Sequence, residues 1–294
     1  MRRALVLGGG GPVGVGWEAG LIAGLHSAGA GVATADFIVG TSAGSIVGSQ
    51  LARGRDPQDL YLTQLEVAER EPAIDQSAID MGPLIGQFLR LYTSDAPLQQ
   101  LRTEIGAFAL QAAGDEEAWV AGFTSAELPG DGSWPPRDFA CTAIDVKNGE
   151  LVVWDRSSGV PLGLAVASSC AVPGLVPPVT INGRRYMDGG IGSTTNATIA
   201  SGYDKVLIVA VIRPGSGAVA AAAPELARRA VERFEREIED VRTSGSVVDV
   251  IAPDEDFAAR LGANLMDFSR RREAAEIGFA QGKSEAERIR AFWD

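Results

Sequence analysis

Histidine is almost missing from this chain: His26 is the only one among 294 residues. A triad in the α/β-hydrolase order needs a histidine downstream of its nucleophile, and none follows His26. A lone imidazole near the end of the first helical stretch reads as a surface or helix-end residue. Cysteine is nearly as scarce. Cys141 and Cys170 are the only two; they form no disulfide framework, and the expected compartment is reducing and cytoplasmic. One histidine and two separated cysteines make no usual transition-metal ligand set, so neither a metal nor a cofactor is expected. Net positive charge is lacking as well. Against 38 Asp and Glu stand 26 Lys and Arg, for a net charge of −12, which argues against nucleic acid as a partner and against electrostatic attraction to an anionic membrane. No apolar run approaches the roughly 20 residues of a membrane span, and Ala4-Leu5-Val6-Leu7 is too short for the apolar core of a signal peptide.

What the chain does have is an ordinary globular balance, 46% hydrophobic and 22% charged residues, and α/β grammar. Arg3 to Leu7 reads as a buried strand, followed by Gly8-Gly9-Gly10-Gly11 and a helix from about Val13 to Ala28. Gly16, Gly20 and Gly24 share one face of that helix, which suggests close packing against a sheet. A second strand, Phe37-Ile38-Val39, leads into another helix. From Asp56 to Leu128 helical periods take over, with helices expected at 59–70, 79–92, 98–112 and 116–123. Strands return at 139–146 and 151–154 around Lys147-Asn148-Gly149, and at 179–181 and 185–187 around Asn182-Gly183. An apolar run at 206–212 and a Gly/Ala-rich link at 214–223 precede a charged helix at 224–242, read as a solvated outer face. A late strand (247–251) and a helix (265–281) complete the pattern; Asp254, Glu255 and Asp256 read as a solvated acidic turn. Nothing marks a domain boundary. One domain over 1–294 is expected, with 56–128 as a helical insertion or cap and 224–294 as a mostly helical C-terminal part.

The most informative local motif is Gly40-Thr41-Ser42-Ala43-Gly44, set between the second strand and its helix. In that context Gly-x-Ser-x-Gly forms a nucleophile elbow, a strained turn that holds the serine Oγ at the edge of the sheet. Gly40 and Gly44 let neighbouring backbone approach. With no histidine to serve Ser42, the candidate base is a carboxylate on a strand end. Asp188 in Asp188-Gly189-Gly190 is the best placed, although spacing alone leaves it equally a turn or cap residue. Gly189 and Gly190 would allow another segment to press against it. Gly9, Gly10 and Gly11 lie where a strand meets a helix amino terminus, so their N–H groups are candidate oxyanion donors. The same loop also matches a dinucleotide fingerprint through Gly9, Gly11 and Gly14. That fingerprint wants an acid at the end of the second strand, whereas Asp36 stands at its start. Cys170 is a weaker nucleophile candidate, with no base near it in sequence.

Taken together, the glycine run Gly8 to Gly14, the elbow at Ser42, the block Ala167-Ser168-Ser169-Cys170-Ala171-Val172-Pro173-Gly174 and the stretch from Asp188-Gly189-Gly190 to Asn196 resemble patatin-like phospholipases over Leu5 to about Val211. The resemblance implies a three-layer α/β/α sandwich. It implies a Ser42–Asp188 dyad, an oxyanion hole around Gly9 to Gly11, and hydrolysis of lipid acyl esters. The expected partners are a lipid or acyl-ester substrate and a transient membrane surface. Many family members carry a basic residue where Val13 stands, which keeps a phospholipid head group in question. An esterase or thioesterase for small soluble acyl groups, and a non-catalytic lipid or acyl binder, therefore stay open. A carboxylate near its reference pKa of ~3.9 is poorly matched to base catalysis at neutral pH, so activity is expected to persist at pH 5.5.

Overall fold

The computed structural model describes residues 1–70, 86, 90–91, 93–128, 130, 132–212, 223–254, 257, 260–261 and 264–294. The first half of the chain contributes β1 (Arg3–Leu7), α1 (Gly11–Ser27), β2 (Phe37–Gly40), α2 (Ala43–Ala52), α3 (Pro57–Arg70), α4 (Leu98–Ala109) and α5 (Glu116–Glu127). The second half adds β3 (Asp138–Asp145), β4 (Leu151–Asp155), α6 (Leu162–Ser169), β5 (Val179–Ile181), β6 (Arg184–Asp188) and β7 (Lys205–Val209), then α7 (Pro224–Thr243), β8 (Val247–Ile251) and α8 (Arg271–Trp293). The helix expected at 79–92, the link at 214–223 and Glu255-Asp256 of the acidic turn fall wholly or mostly outside the described residues.

All eight strands join one mixed sheet in the order β5-β6-β3-β2-β1-β7-β8, with β4 paired to β3 off that path. β2, β1, β7 and β8 run parallel, as does the β2–β3 pair, while β4 and β6 are antiparallel to β3. The register of β3 matters most. Ala140 and Cys141 pair with both β2 and β4, and Ala143 and Ile144 pair with both β4 and β6. Since a strand has only two edges, β2 and β6 must share one of them. They run toward each other along it, and their carboxyl ends, Gly40 opposite Cys141 and Asp188 opposite Ala143, meet across Thr142.

Alternation along the strands fixes the layers. Leu5, Leu7, Ile38, Leu207 and Val209 are buried with residues of α1, α2, α6 and α8, whereas Ala4, Val6, Val39, Val206 and Ile208 face Ile238 and Val241 of α7. On that second side Ile144 and Met187 also pack with Leu101 and Ile105 of α4. The molecule is therefore a three-layer α/β/α sandwich. Both hairpins form at the expected Asn-Gly turns, and Asn182 and Gly183 both take positive φ, 51° and 76°.

One expectation is corrected. The glycine face of α1 does not meet the sheet; it meets α8. A Cβ on Gly16, Gly20 or Gly24 would fall 2.0–2.3 Å from the carbonyl oxygens of Arg271, Ala275 and Phe279, and Gly278 and Gly282 return the same contact onto Trp17 and Leu21. Two backbones pressed together leave no room for side chains, and residues 12–25 of α1 are buried all round. The final helix also starts later and runs longer than its periodicity suggested, over Arg271–Trp293.

Candidate active site

Ser42 lies two residues past the end of β2 and caps α2 with φ 51° and ψ −117°, a conformation that costs a non-glycine residue of order 1–3 kcal/mol. The surroundings hold it there. Its N–H donates to Ser169 Oγ at 2.9 Å, Thr41 N–H donates to the Leu7 carbonyl at 3.0 Å, and Gly44 N–H reaches the carbonyls of Gly8 and Thr41. A Cβ on Gly40 would fall 2.3 Å from the Gly44 oxygen, and one on Gly44 2.1 Å from the Leu7 oxygen, so the turn is this tight only with glycine at both positions. The serine itself is 7% exposed.

Asp188 arrives from the opposite direction at the end of β6 and is 6% exposed. Its Oδ1 accepts the Gly190 N–H at 2.7 Å. Burial is the largest influence on the carboxyl and pushes its pKa up to about 6; the Gly190 N–H and the Ser42 hydroxyl pull it partly back. Among the described residues no cation offsets the desolvation. The expectation of a base near its reference value is thereby corrected: burial brings Asp188 close to neutral pH. Gly189 is pinned over Thr142, where a Cβ would fall 2.2 Å from Thr142 Oγ1, and the Gly190 position abuts Thr41.

The glycine loop lies beside the serine, with the Cβ position of Gly9 3.3 Å from Ser42 Cβ. The three candidate donors differ. Gly9 N–H is already taken by the Thr194 carbonyl at 2.7 Å, whereas neither Gly10 nor Gly11 N–H has an acceptor among the described residues. Gly10 is the N-cap of the 17-residue α1 and Gly11 its first residue, so both amides belong to the positive end of a long helix.

Thr41 and Asn196 belong to runs that the sequence marked, whereas Thr142 and Glu237, which complete the supports of the site, gave no signal in it. Thr41 Oγ1 and Thr142 Oγ1 share a hydrogen bond of 2.9 Å, and Asn196 Nδ2 lies 3.0 Å from both Thr41 Oγ1 and the Gly189 carbonyl. This buried polar link ties the elbow to the Asp188 loop. Farther along that loop, Ser193 Oγ (2.7 Å), Thr195 Oγ1 (3.1 Å) and Ala197 N–H all donate to Glu237 of α7. The charged helix therefore turns an acid inward, which corrects the reading of a wholly solvated face. Ser193 and Thr195 are common loop residues, and charge patterning along α7 does not single out Glu237. His26 is exposed on the last turn of α1. Cys170 lies beside Ser45, Sγ to Oγ 3.6 Å, and burial and the nearby Asp188 carboxylate push its pKa well up, leaving a protonated thiol.

The family model of patatin-like phospholipases matches residues 5–201. No curated protein matches the chain. Among solved structures the chain is similar to VipD from Legionella pneumophila, at 15% identity and a TM-score of 0.45, over 98% of this chain and 67% of that one. It is also similar to ExoU in the ExoU–SpcU complex from the Pseudomonas aeruginosa type III secretion system, at 16% identity and a TM-score of 0.36. There the match takes in 99% of this chain and 52% of that one, so the chain spans about half the length of that relative. With two thirds of its residues under the family model, from the first strand to the loop beyond Asp188, the chain belongs to the patatin-like phospholipase family.

Proposed function

We propose that the chain is a serine acyl hydrolase that cleaves lipid carboxylic esters, in the manner of a phospholipase A or lysophospholipase, with Ser42 as nucleophile and Asp188 as base. The carrying observation is the meeting of β2 and β6 on one edge of β3, which seats a strained serine against a buried carboxyl whose pKa is about 6. At pH 7.5 that carboxyl is mostly ionised, yet far better matched to proton transfer than an exposed aspartate. Asp188 takes the Ser42 proton as Oγ attacks the ester carbonyl. The N–H groups of Gly10 and Gly11 receive the developing oxyanion, each such donor being worth roughly 2.7–4 kcal/mol elsewhere. The protonated Asp188 then gives its proton to the departing alcohol. Water attacks the acyl-enzyme and loses a proton to Asp188, which passes it to Ser42 Oγ as the acid is released, restoring both side chains.

A second reading, a preference for neutral or small acyl esters, is favoured by Val13. This side chain is fully buried and its N–H is taken by the Leu265 carbonyl, so position 13 offers a head group neither charge nor donor. A panel of phospholipid and neutral esters of graded chain length separates the two. The test of the dyad is covalent labelling with a fluorophosphonate, read by intact mass. Wild type is expected to gain one adduct, and Ser42→Ala and Asp188→Asn none. Folded wild type that stays unlabelled would favour a non-catalytic acyl binder.

A further inference from the structure

The net charge of −12 hides a local reversal. On the α7 side of the sheet a cleft of about 260 Å³ lies between Leu91 and Ser94 on one wall and Arg228, Arg229, Arg233 and Arg236 on the other, with Glu232 as the only acid in its lining. Four arginines of a chain that has more acids than bases thus converge on one small cavity. Arg228 and Arg229 are shared with Glu225, Glu232 and Asp95 at the outer rim. Farther along α7, Arg233 donates to the Leu91 carbonyl at 2.9 Å, and Arg236, exposed and shared with a neighbouring cleft that Glu235 and Glu239 also line, has no hydrogen bond or ion pair among the described residues. Behind them sits Arg102, whose pKa is lowered to about 10, first by burial and then by the charge of Arg233.

We infer that this arginine cleft binds a phosphate monoester group. The planar donor forks of arginine match tetrahedral phosphate oxygens two at a time, and a monoester brings about −1.5 to −2 charges to a cavity with an excess of cations. The cavity is also larger than one phosphate, which leaves room for the group that carries it. Neighbouring residues of α4 and α7 reach the loop that holds Asp188: Arg102 donates to the Ile191 carbonyl at 2.7 Å, and Glu237, one turn beyond Arg233, accepts from Ser193, Thr195 and Ala197. The inference concerns binding and stands whether or not Ser42 hydrolyses esters.

The test uses the full chain and inorganic phosphate, titrated calorimetrically at constant ionic strength against acetate as the control anion. Phosphate is expected to bind and acetate not. Arg236→Glu and Arg228→Glu should each weaken phosphate about tenfold or more, while Arg290→Glu, an equal charge change on an exposed residue of α8, stays within about twofold. Flotation with phosphatidylcholine vesicles carrying phosphatidic acid, or phosphatidylglycerol at matched surface charge, then identifies the source. Capture by phosphatidic acid alone, lost in Arg236→Glu, assigns the site to a lipid phosphate. Phosphate binding without vesicle capture assigns it to a soluble phosphate ester. No phosphate binding by folded wild type, or equal weakening by Arg290→Glu, overturns the inference.

Discussion

Two buried carboxyl groups, Asp188 and Glu18, differ in kind. Asp188 has the Gly190 N–H and the Ser42 hydroxyl beside it, and its pKa stops at about 6. Glu18, on α1, is fully buried, and neither of its oxygens has a hydrogen-bond partner among the described residues. Burial drives its pKa well above the ordinary value, with only the nearby Gly8 N–H working against that. Desolvation raises both, but a pair of donors holds the first group near neutrality, while the second has only the Gly8 N–H against it.

The widest separation between the two is expected in turnover. Asp188→Asn should lower kcat/KM on an ester substrate by about 10³–10⁵-fold, and Glu18→Gln by less than about threefold; comparable losses would erase the distinction. The pH profile comes next. The acid limb of kcat/KM should centre near pH 6, so that about a quarter of the activity survives at pH 5.5. This limb lies close to that of a histidine base, so it is the Asp188→Asn variant, not the position of the limb, that identifies the base. Glu18→Gln should leave the limb in place.

Stability supplies a smaller effect of opposite sign. Between the unfolded pKa near 3.8 and the folded one near 6, the native state keeps a proton that the unfolded chain has released. Stability therefore falls as pH rises through that window and stays lowered above it. Asp188→Asn, which can still accept the Gly190 N–H, should stabilise the fold by about 1–3 kcal/mol at pH 8 and by almost nothing at pH 4, as read by urea denaturation. Smallest is Glu18→Met. Replacing a buried acid that lacks a partner with an apolar side chain should gain about 1 kcal/mol in the same assay at pH 7. A loss there would mean that Glu18 has a bound water or other partner in solution.

The elbow was legible in the sequence because its requirements are local: a short strand, glycine at 40 and 44, and a helix to follow. The Asn182-Gly183 turn was legible for the same reason. Asp188 could be named only as a candidate, since what brings it to Ser42 is the edge of β3 shared by β2 and β6, a pairing that no local pattern encodes. Its pKa was unreadable because burial is a property of the assembled layers. The spacing of Gly16, Gly20 and Gly24 showed that one face of α1 is thin, but sheet and helix ask for the same thin face, and only the fold chooses α8. The donors at Gly10 and Gly11 could not be told from Gly9 until the Thr194 carbonyl was in place.

The seam between α1 and α8 also sets a schedule. A Cβ on Gly10 would strike Val211 and one on Gly11 the Leu265 carbonyl, and α1 lies against Arg271 to Gly282 backbone to backbone. All of these props lie beyond residue 201, where the family match ends. A growing polypeptide carries Ser42 and Asp188 out of the ribosome before Val211, Leu265 and α8 are present to hold Gly10, Gly11 and α1 in place. The proposed ester hydrolysis is therefore expected to begin only once residues 271–293 have cleared the exit tunnel and closed against α1.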